Sequence, residues 1–199
     1  AKSTIVEKFQ IDPAKIAVIH LDADSTFKKP LKNTPSSAFL ALKLPPKYLY
    51  FPANFWPHKN HANVLEALRL ASAQGETDLH LVLSGSPAGS EPIQAEVNRL
   101  GLKDRVRFCG YLDKSLIPEV YQNSLALLFA TKFEGFGIPL LEAFYAGAPA
   151  ITANSGSCVE VAGDAAVLVD PLSPESIAKG ILKIARDPAR FTSLLQPAA

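Results

Sequence analysis

Two glutamates separated by seven residues enclose a pair of glycines in the segment Glu134-Gly135-Phe136-Gly137-Ile138-Pro139-Leu140-Leu141-Glu142-Ala143. Glycines at 135 and 137 let the backbone turn tightly and come close to a ligand. A helical pattern begins near Ile138-Pro139, where proline suits the first turn. The unpaired N–H groups at the start of such a helix favour a phosphate. The segment therefore predicts a phosphate site beside the turn.

A carboxylate next to a phosphate site needs its own explanation, because two anions repel each other. Sugar hydroxyls provide one, since a carboxylate accepts hydrogen bonds from a pair of vicinal hydroxyls. Glu134 lies in the loop and can reach beyond the phosphates, whereas Glu142 lies about one helical turn inside and can hold a ribose. The alternative is an acidic residue before a helix start and a solvated one within the helix. The spacing leaves both interpretations open.

Lys59 is the candidate cation for the same ligand. It follows the first predicted strand, across the cleft from Glu134, and a diphosphate leaving group needs a positive charge. The alternative is a solvated lysine before a helix. The nearby His58 and His61 are interpreted as surface or capping residues, with no catalytic role and no metal assigned to them.

Strand and helix patterns alternate from about residue 47 onward. Short apolar runs predict strands at 48–51, 79–83, 106–109, 125–129, 149–152 and 167–169. Helical patterns fill the intervals, the first capped by Asn60, the third by Asp113 and the last opened by Ser173-Pro174-Glu175. This alternation predicts an α/β fold: a single Rossmann-like domain with a parallel sheet and helices on both faces.

The first 46 residues follow a different pattern. Ile16-Ala17-Val18-Ile19 predicts one strand, and the stretch from Phe27 to Lys47 predicts a long surface connection rich in Lys, Pro and Ser. We therefore interpret residues 1–46 as an amino-terminal strand and connecting segment. Residues 47–199 are the Rossmann-like domain itself.

The predicted sheet fixes where a ligand would bind, because open parallel sheets hold ligands at the carboxyl ends of their strands. The loops at that edge run over 52–59, 84–90, 110–113, 130–137 and 153–157. They collect much of the unusual polar and glycine content of the chain: Asn54, His58, Lys59, Glu134, Gly135, Gly137, Asn154, Ser155 and Gly156.

The composition argues against several classes of protein. Of 199 residues, 48% are apolar and 20% charged, as in ordinary soluble domains, and a net charge of +1 gives no electrostatic basis for binding nucleic acid. No apolar run approaches the roughly 20 residues of a membrane-spanning helix. Cys109 and Cys158 lack metal-ligand spacing, which indicates reduced thiols in a cytoplasmic protein.

Both ends of the sequence suggest an excised piece of a longer protein. The chain contains no methionine, and its start at Ala1-Lys2-Ser3-Thr4-Ile5 lacks the apolar stretch of a signal peptide. Its end, at 194–199, comes soon after a helical pattern. We therefore expect a fragment.

Three stretches carry a resemblance to a known family. They are Phe51 to His61, Glu134 to Glu142, and Asn154 to Ala166 continuing to Val169-Asp170-Pro171. In these stretches the chain resembles the carboxy-terminal, donor-binding domain of the group-1 retaining glycosyltransferases with the two-Rossmann-domain (GT-B) fold. The likeness extends over nearly the whole chain, and the motifs stand in the family's order and at its spacing.

The resemblance implies a role for each site residue. Lys59 would bind the donor pyrophosphate and Glu134 would face the donor sugar, which makes them the expected catalytic residues. Glu142 would bind the ribose, and the Tyr111-Leu112 turn would lie against the base. The expected donor-binding set, which includes backbone N–H groups that meet sugar hydroxyls and phosphate, is Asn54, Leu112, Gly135, Phe136, Gly137, Ile138 and Glu142.

Two departures from the family pattern stand out. Many members have arginine five residues before the lysine, where this chain has Asn54, so the diphosphate would meet one cation fewer. The family's amino-terminal acceptor domain and its final helix are absent from the sequence. For that reason we expect the isolated chain to be inactive.

The reaction implied by the resemblance moves a sugar from a nucleoside diphosphate sugar to an acceptor hydroxyl with retention of configuration. It implies no metal and no cofactor, with Lys59 and the helix amino terminus stabilising charge on the leaving diphosphate. In the same-face mechanism usual for such enzymes, the leaving phosphate accepts the acceptor's proton. The expected partners are the sugar nucleotide, an unidentified acceptor and the missing amino-terminal domain, with no nucleic acid. Peripheral membrane association of the full-length enzyme is compatible with this assignment. Two alternatives remain: a non-catalytic sugar-nucleotide-binding module and a GT-B-like sugar-nucleotide epimerase.

Overall fold

The described part of the chain, in a computed structural model, comprises residues 2–30 and 34–193. The sequence end at 194–199, which suggested an excised piece, lies outside these residues. Positions 31–33 of the predicted surface connection also lie outside them.

Six parallel strands form one sheet in the order β3-β2-β1-β4-β5-β6. The central strand β1 has four consecutive buried residues at 48–51, as expected for a strand that helices cover on both faces. Each predicted strand from residue 48 onward is present, which confirms the α/β assignment. The bounds are β1 Tyr48–Pro52, β2 His80–Ser84, β3 Val106–Phe108, β4 Ala126–Phe129, β5 Ala150–Ala153 and β6 Ala166–Val169.

The strand order reverses at β1, and this reversal defines the position of the site. The chain runs from β1 outward through β2 to β3, then returns to β4 on the other side of β1 and continues outward to β6. At such a switch point the loops after the two central strands separate and leave a crevice at the carboxyl edge. The crevice lies between the loop after β1 and the loop after β4.

Helices cover both faces of the sheet, because right-handed crossovers to the left and to the right of β1 fall on opposite faces. The helix after β1 packs beside the last long helix, and the helix after β3 packs beside the helix after β4. The helices are α1 Lys2–Phe9, α2 Ser37–Ala41, α3 His61–Ala73, α4 Glu91–Arg99, α5 Ile117–Gln122, α6 Ile138–Tyr145, α7 Ser157–Ala162, α8 Pro174–Arg186 and α9 Pro188–Ser193.

The last long helix, α8, confirms its sequence pattern. Ser173 caps it by accepting a hydrogen bond from the backbone N–H of Ser176 at 3.1 Å. Its apolar stripe, which includes Ile177 and Ile181, is buried. Gly180 lets the helix lie close to the sheet, since a Cβ there would come within 2.6 Å of Val169 Cγ1.

The predicted strand at 16–19 is wrong. These residues adopt no regular structure, and Val18 and Ile19 are 53% and 88% exposed. A strand needs a neighbour to complete its backbone hydrogen bonds, and within the described residues no strand pairs with this stretch. The predicted surface connection is also more ordered than expected, because it contains α2 and buries Phe27 and Phe39.

The side chains of two predicted helix caps, Asn60 and Asp113, do not cap their helices. Asn60 stands at the start of α3 in a left-handed conformation (φ 69°), and its side chain accepts no helix N–H. Its amide instead donates to Ala130 O at 2.8 Å and Pro171 O at 2.6 Å. Asp113 does not cap α5, which begins four residues later at Ile117; its carboxylate accepts from Ser115 within the preceding turn.

Candidate functional site

Lys59 and Glu134 meet at the crevice between β1 and β4. The Lys59 Nζ donates to Glu134 Oε1 at 2.7 Å, although 75 residues separate them in sequence. Their side chains are only 15% and 13% exposed. The two residues predicted to be catalytic are therefore in direct contact.

The position of Lys59 follows from the path of the chain after β1. The strand ends at Pro52, and a short 3₁₀ turn, Pro57–Lys59, presents the lysine at the carboxyl edge. The buried Asn60 amide then ties this turn to the end of β4 and to the loop after β6. The ammonium group also lies 5.6 Å from the centre of the Phe129 ring, at the end of β4.

Glu134 is held by contacts of its own loop. The backbone N–H of Lys132 donates to His58 O at 2.8 Å, which joins the loop after β4 to the loop after β1. Ser157, at the start of α7, donates its hydroxyl to Glu134 O at 3.0 Å. The backbone that carries the carboxylate is thus anchored on two sides.

The two glycines of the turn have different roles. Gly137 adopts a left-handed conformation (φ 100°) immediately before α6, as the sequence predicts for a tight turn. Gly135 lies in the bend before it without a positive φ, and a Cβ at Gly135 would meet no atom within 4 Å. Open space in front of Gly135 suits the approach of a ligand to the backbone.

The start of α6 presents donors at the same place. Across residues 2–30 and 34–193, the backbone N–H groups of Gly135, Phe136 and Gly137 find no protein acceptor. They stand beside Glu134 and ahead of Ile138, the first residue of α6. Unpaired N–H groups with a helix dipole behind them can bind an anion.

Glu142 lies deeper than the sequence suggests. Tyr121, from α5, donates its hydroxyl to Glu142 Oε2 at 2.8 Å. Burial raises the pKa of the Glu142 carboxyl, the Tyr121 hydrogen bond lowers it, and the charge of Asp24 raises it further. The Tyr121 ring meets the ring of Tyr50 edge-on at 4.8 Å.

The contacts between these side chains extend from Tyr50 on β1 to the neighbouring strand β2. The Tyr50 hydroxyl, on β1, lies 2.7 Å from Ser84 Oγ, at the end of β2. Burial raises the pKa of the Tyr50 hydroxyl, so it remains protonated and can donate. We call Ser84, Tyr50, Tyr121 and Glu142 the tyrosine chain.

A cavity of about 310 Å³ opens in front of Lys59. Asn54 and Leu112, both predicted donor-binding residues, line it together with the exposed Tyr111. Asn54 Oδ1 accepts a hydrogen bond from the Ser86 N–H at 2.8 Å, so this side chain anchors the loop after β2. Glu142 is not among the residues that line the cavity, and it connects to the cavity through Tyr50.

Seven residues that line this cavity received no individual role in the sequence analysis, among them Tyr50, Trp56 and Ser84. Trp56 and Ser84 stand at the carboxyl edge of the sheet, and that position was the available signal. Tyr50 offered none, because an aromatic residue inside a buried strand has the pattern of a core residue.

The interpretation of His61 as a surface or capping residue is wrong. His61 is buried, only 4% exposed, with its ring 4.7 Å from Phe51 and 4.9 Å from Phe55. Burial lowers its pKa to about 4, and the charge of Lys59 contributes in the same direction, so the ring is neutral at pH 7. His58 is half-buried, 5.6 Å from the Trp56 ring.

Neither cysteine forms a disulfide. In the described ranges, no group of three or more His, Cys, Asp or Glu side chains is arranged to hold a metal ion. No helix of those ranges is both long enough and apolar enough to cross a membrane.

Known proteins share the sequence pattern. The chain matches the family model described as glycosyl transferases group 1 over residues 33–196. O-antigen chain mannosyltransferase B of Escherichia coli is 28% identical over 141 residues, a match that covers 70% of this chain and 37% of that protein. The matched segment therefore spans well under half the length of this relative.

Solved structures share the fold. A glycosyltransferase from Rickettsia africae ESF-5 superposes with a TM-score of 0.83 at 21% identity, covering 98% of this chain and 52% of that one. HepE of Anabaena, solved in complex with UDP, superposes with a TM-score of 0.80 at 19% identity, covering 98% and 54%. HepE has also been solved in complex with UDP-glucose.

Proposed function

Because this chain belongs to the group 1 glycosyl transferases, we propose that it is the carboxy-terminal, donor-binding domain of a retaining enzyme. That enzyme moves a sugar from a nucleoside diphosphate sugar to an acceptor hydroxyl. The observation that carries the proposal is the 2.7 Å contact between Lys59 and Glu134, at the switch point of the sheet and beside the start of α6.

Lys59 and the start of α6 supply the positive charge that a diphosphate needs. In the proposed reaction, the bond between the sugar and the diphosphate breaks, and negative charge grows on the leaving oxygen. The ammonium group and the unpaired N–H groups of Phe136 and Gly137 stabilise that charge. Charge stabilisation of this kind accelerates the step because it acts most strongly on the transition state.

Glu134 is the group that distinguishes a sugar from a bare phosphate. Its carboxylate accepts hydrogen bonds from sugar hydroxyls and so fixes the orientation of the ring. It acts as a positioning group and forms no covalent bond. On the proposed retaining route, the leaving phosphate accepts the proton of the acceptor hydroxyl on the same face of the sugar.

The nucleoside occupies the cavity of about 310 Å³ in front of Lys59. Tyr111 and Leu112 lie against the base, and Asn54 lies on the phosphate side. Glu142 binds the ribose, and the ribose must reach past Tyr50 to contact this carboxylate. The complexes of HepE with UDP and UDP-glucose support a ligand of this class.

The other half of the reaction belongs to the amino-terminal domain that the family resemblance implies. We propose that this domain supplies the acceptor surface, and that the 199-residue chain alone transfers no sugar. Mannose and glucose are both candidate donor sugars, the first in keeping with the name of the Escherichia coli relative. A cytoplasmic enzyme that associates peripherally with the membrane is the proposed setting.

Isothermal titration of the natural full-length protein against UDP-, GDP- and ADP-glucose and GDP-mannose tests the assignment. We expect one nucleotide series to bind with a dissociation constant in the micromolar to millimolar range, about 10⁻⁶ to 10⁻³ M. Failure of every sugar nucleotide to bind would overturn the proposal. Conversion of a bound donor into an isomer without any acceptor would identify an epimerase instead.

A further inference from the structure

Lys59, the proposed cation for the diphosphate, and Glu134, the proposed carboxylate for the sugar, form an ion pair with each other. The 2.7 Å contact neutralises the Lys59 ammonium group with the Glu134 carboxylate at a position that solvent reaches poorly. Water screens such a pair less than it screens a pair on an open surface, so each charge strongly affects what the other can bind.

The contact is fixed by the backbone on both sides. The hydrogen bond from Lys132 N to His58 O joins the loop after β4 to the loop after β1, and the one from Ser157 Oγ to Glu134 O joins the loop after β4 to α7. These bonds favour a position of Glu134 beside Lys59. Lys59 can rotate its ammonium toward a phosphate, but its partner carboxylate remains close to that phosphate.

The consequence is larger because the cavity in front of Lys59 offers a diphosphate little other positive charge from side chains. Of the described residues that line this cavity, Lys59 is the single cationic one, and Asn54 is neutral; Lys132 lines the neighbouring cavity together with Glu134. A diphosphate that approaches Lys59 meets a cation whose field Glu134 largely cancels. It also meets the repulsion of Glu134 itself.

A sugar on the diphosphate changes this balance. Its hydroxyls donate to Glu134 and compensate the carboxylate for the loss of the ammonium donor. A hydrogen bond to a charged group contributes more than one between neutral groups, so the compensation is substantial. A nucleoside diphosphate without a sugar has no hydroxyl at this position and leaves the carboxylate uncompensated.

We propose that Glu134, through its ion pair with Lys59, makes the site selective for the sugar nucleotide over the free nucleoside diphosphate. The carboxylate that orients the donor sugar thereby also promotes release of the nucleotide product after transfer. This inference rests on the proposed function, since it assumes that a sugar nucleotide binds across the pair.

The test compares two ligands on three proteins. Isothermal titration is performed with the natural full-length protein, Glu134→Gln and a control, Glu96→Gln, using UDP with UDP-glucose and GDP with GDP-mannose. Glu96 forms an ion pair of similar length, 2.6 Å, with Arg99 on the surface of α4, away from the cavity. Thermal unfolding of each variant verifies that it is folded.

The expected changes have opposite signs. Glu134→Gln removes the negative charge without changing the side-chain shape, so the free nucleotide should bind about three- to tenfold more tightly. The sugar nucleotide should bind about tenfold more weakly, because its hydroxyls lose a charged acceptor. Glu96→Gln should leave both affinities within about twofold of the wild type.

Two results with Glu134→Gln would overturn the inference and leave the proposed function standing: weaker binding of both ligands, or unchanged binding of the free nucleotide. In either case Glu134 would position the sugar without selecting against the product. If no sugar nucleotide bound the wild-type protein, the proposed function would fail and the inference with it. Opposite changes in the two ligands would support both.

Discussion

The two glutamates of the motif lie in contrasting environments. Glu134 stands on a loop, within 2.7 Å of a cation from another loop, and its backbone carbonyl accepts a hydrogen bond from the Ser157 hydroxyl. Glu142 stands on α6 in the tyrosine chain, with a tyrosine hydroxyl as its partner and no ion pair among the described residues. One carboxylate is paired with a charged donor, and the other, which is half-buried, is paired with a neutral donor.

This difference indicates how one motif serves two parts of a ligand. A charged pair on loops can exchange partners when a ligand supplies an anion for the ammonium group and hydroxyl donors for the carboxylate, as a site for a sugar diphosphate requires. A carboxylate among buried aromatic rings is held in one orientation, which suits recognition of a group that does not react. It also means that the two residues should respond to mutation in different ways.

The largest effect is expected at the charged pair. Lys59→Ala and Glu134→Ala in the full-length protein should each lower turnover about 100-fold or more, because each removes a group that acts on the leaving diphosphate or the sugar. Steady-state transfer of radiolabelled sugar to acceptor measures this. Lys183→Ala, on α8, is the matched control and should change turnover less than about twofold.

Equal turnover in wild type and both alanine variants would remove Lys59 and Glu134 from the catalytic assignment. A loss confined to one of them would break the comparison in a more specific way. It would show that the pair does not act as a unit, because residues that act together lose similar amounts when either is removed.

Mutation within the tyrosine chain should lower the stability of the protein more than its activity. Tyr121→Phe leaves the half-buried Glu142 carboxylate without its hydroxyl donor, and we expect the free energy of unfolding to fall by about 1–3 kcal/mol. Urea unfolding monitored by circular dichroism measures the change. Tyr111→Phe, which alters an exposed ring, should change it by less than about 0.5 kcal/mol.

A Tyr121→Phe protein as stable as the wild type would show that Glu142 gains nothing from the hydroxyl. The carboxylate would then have to be neutral or turned toward the cavity. Either result would bring the environments of the two glutamates closer together.

The smallest expected effect is a change in melting temperature on mutation of Glu142, and its sign tests the direction of the pKa shift. Burial raises the folded-state pKa of Glu142 above its usual 4.5, so the protonated form is favoured in the folded protein. The stability associated with that proton is present below pH 4.5 and is lost as pH rises through the folded-state pKa. Glu142→Gln should therefore raise the melting temperature at pH 7.5 by about 1–3 °C while weakening donor binding.

The gain from Glu142→Gln should shrink as pH falls toward 4.5, and melting curves between pH 7.5 and 5 would follow it. Glu160→Gln, at an exposed position on α7, should show no such trend. A Glu142→Gln protein that is less stable than wild type at pH 7.5 would contradict the raised pKa as the dominant influence.

Much of the fold followed from local sequence. The alternation of short apolar runs with helical stripes predicted the six strands, and Ser173-Pro174 predicted the start of α8. These predictions succeed because a continuous apolar run or a stripe with a 3.6-residue period is a property of neighbouring positions. The stretch at 16–19 shows the limit, since a strand pattern forms no strand without a partner for its backbone.

The sequence by itself determined the class of site: a lysine and two glutamates, with a glycine turn before a helix, at the carboxyl edge of a parallel sheet. The tertiary structure decided the rest. It brought Lys59 within 2.7 Å of Glu134, turned the Asn60 amide away from its helix and placed Glu142 under Tyr121. The physical reason is that strand order sets which loops become neighbours, and a contact across 75 residues leaves no periodic signal in the chain.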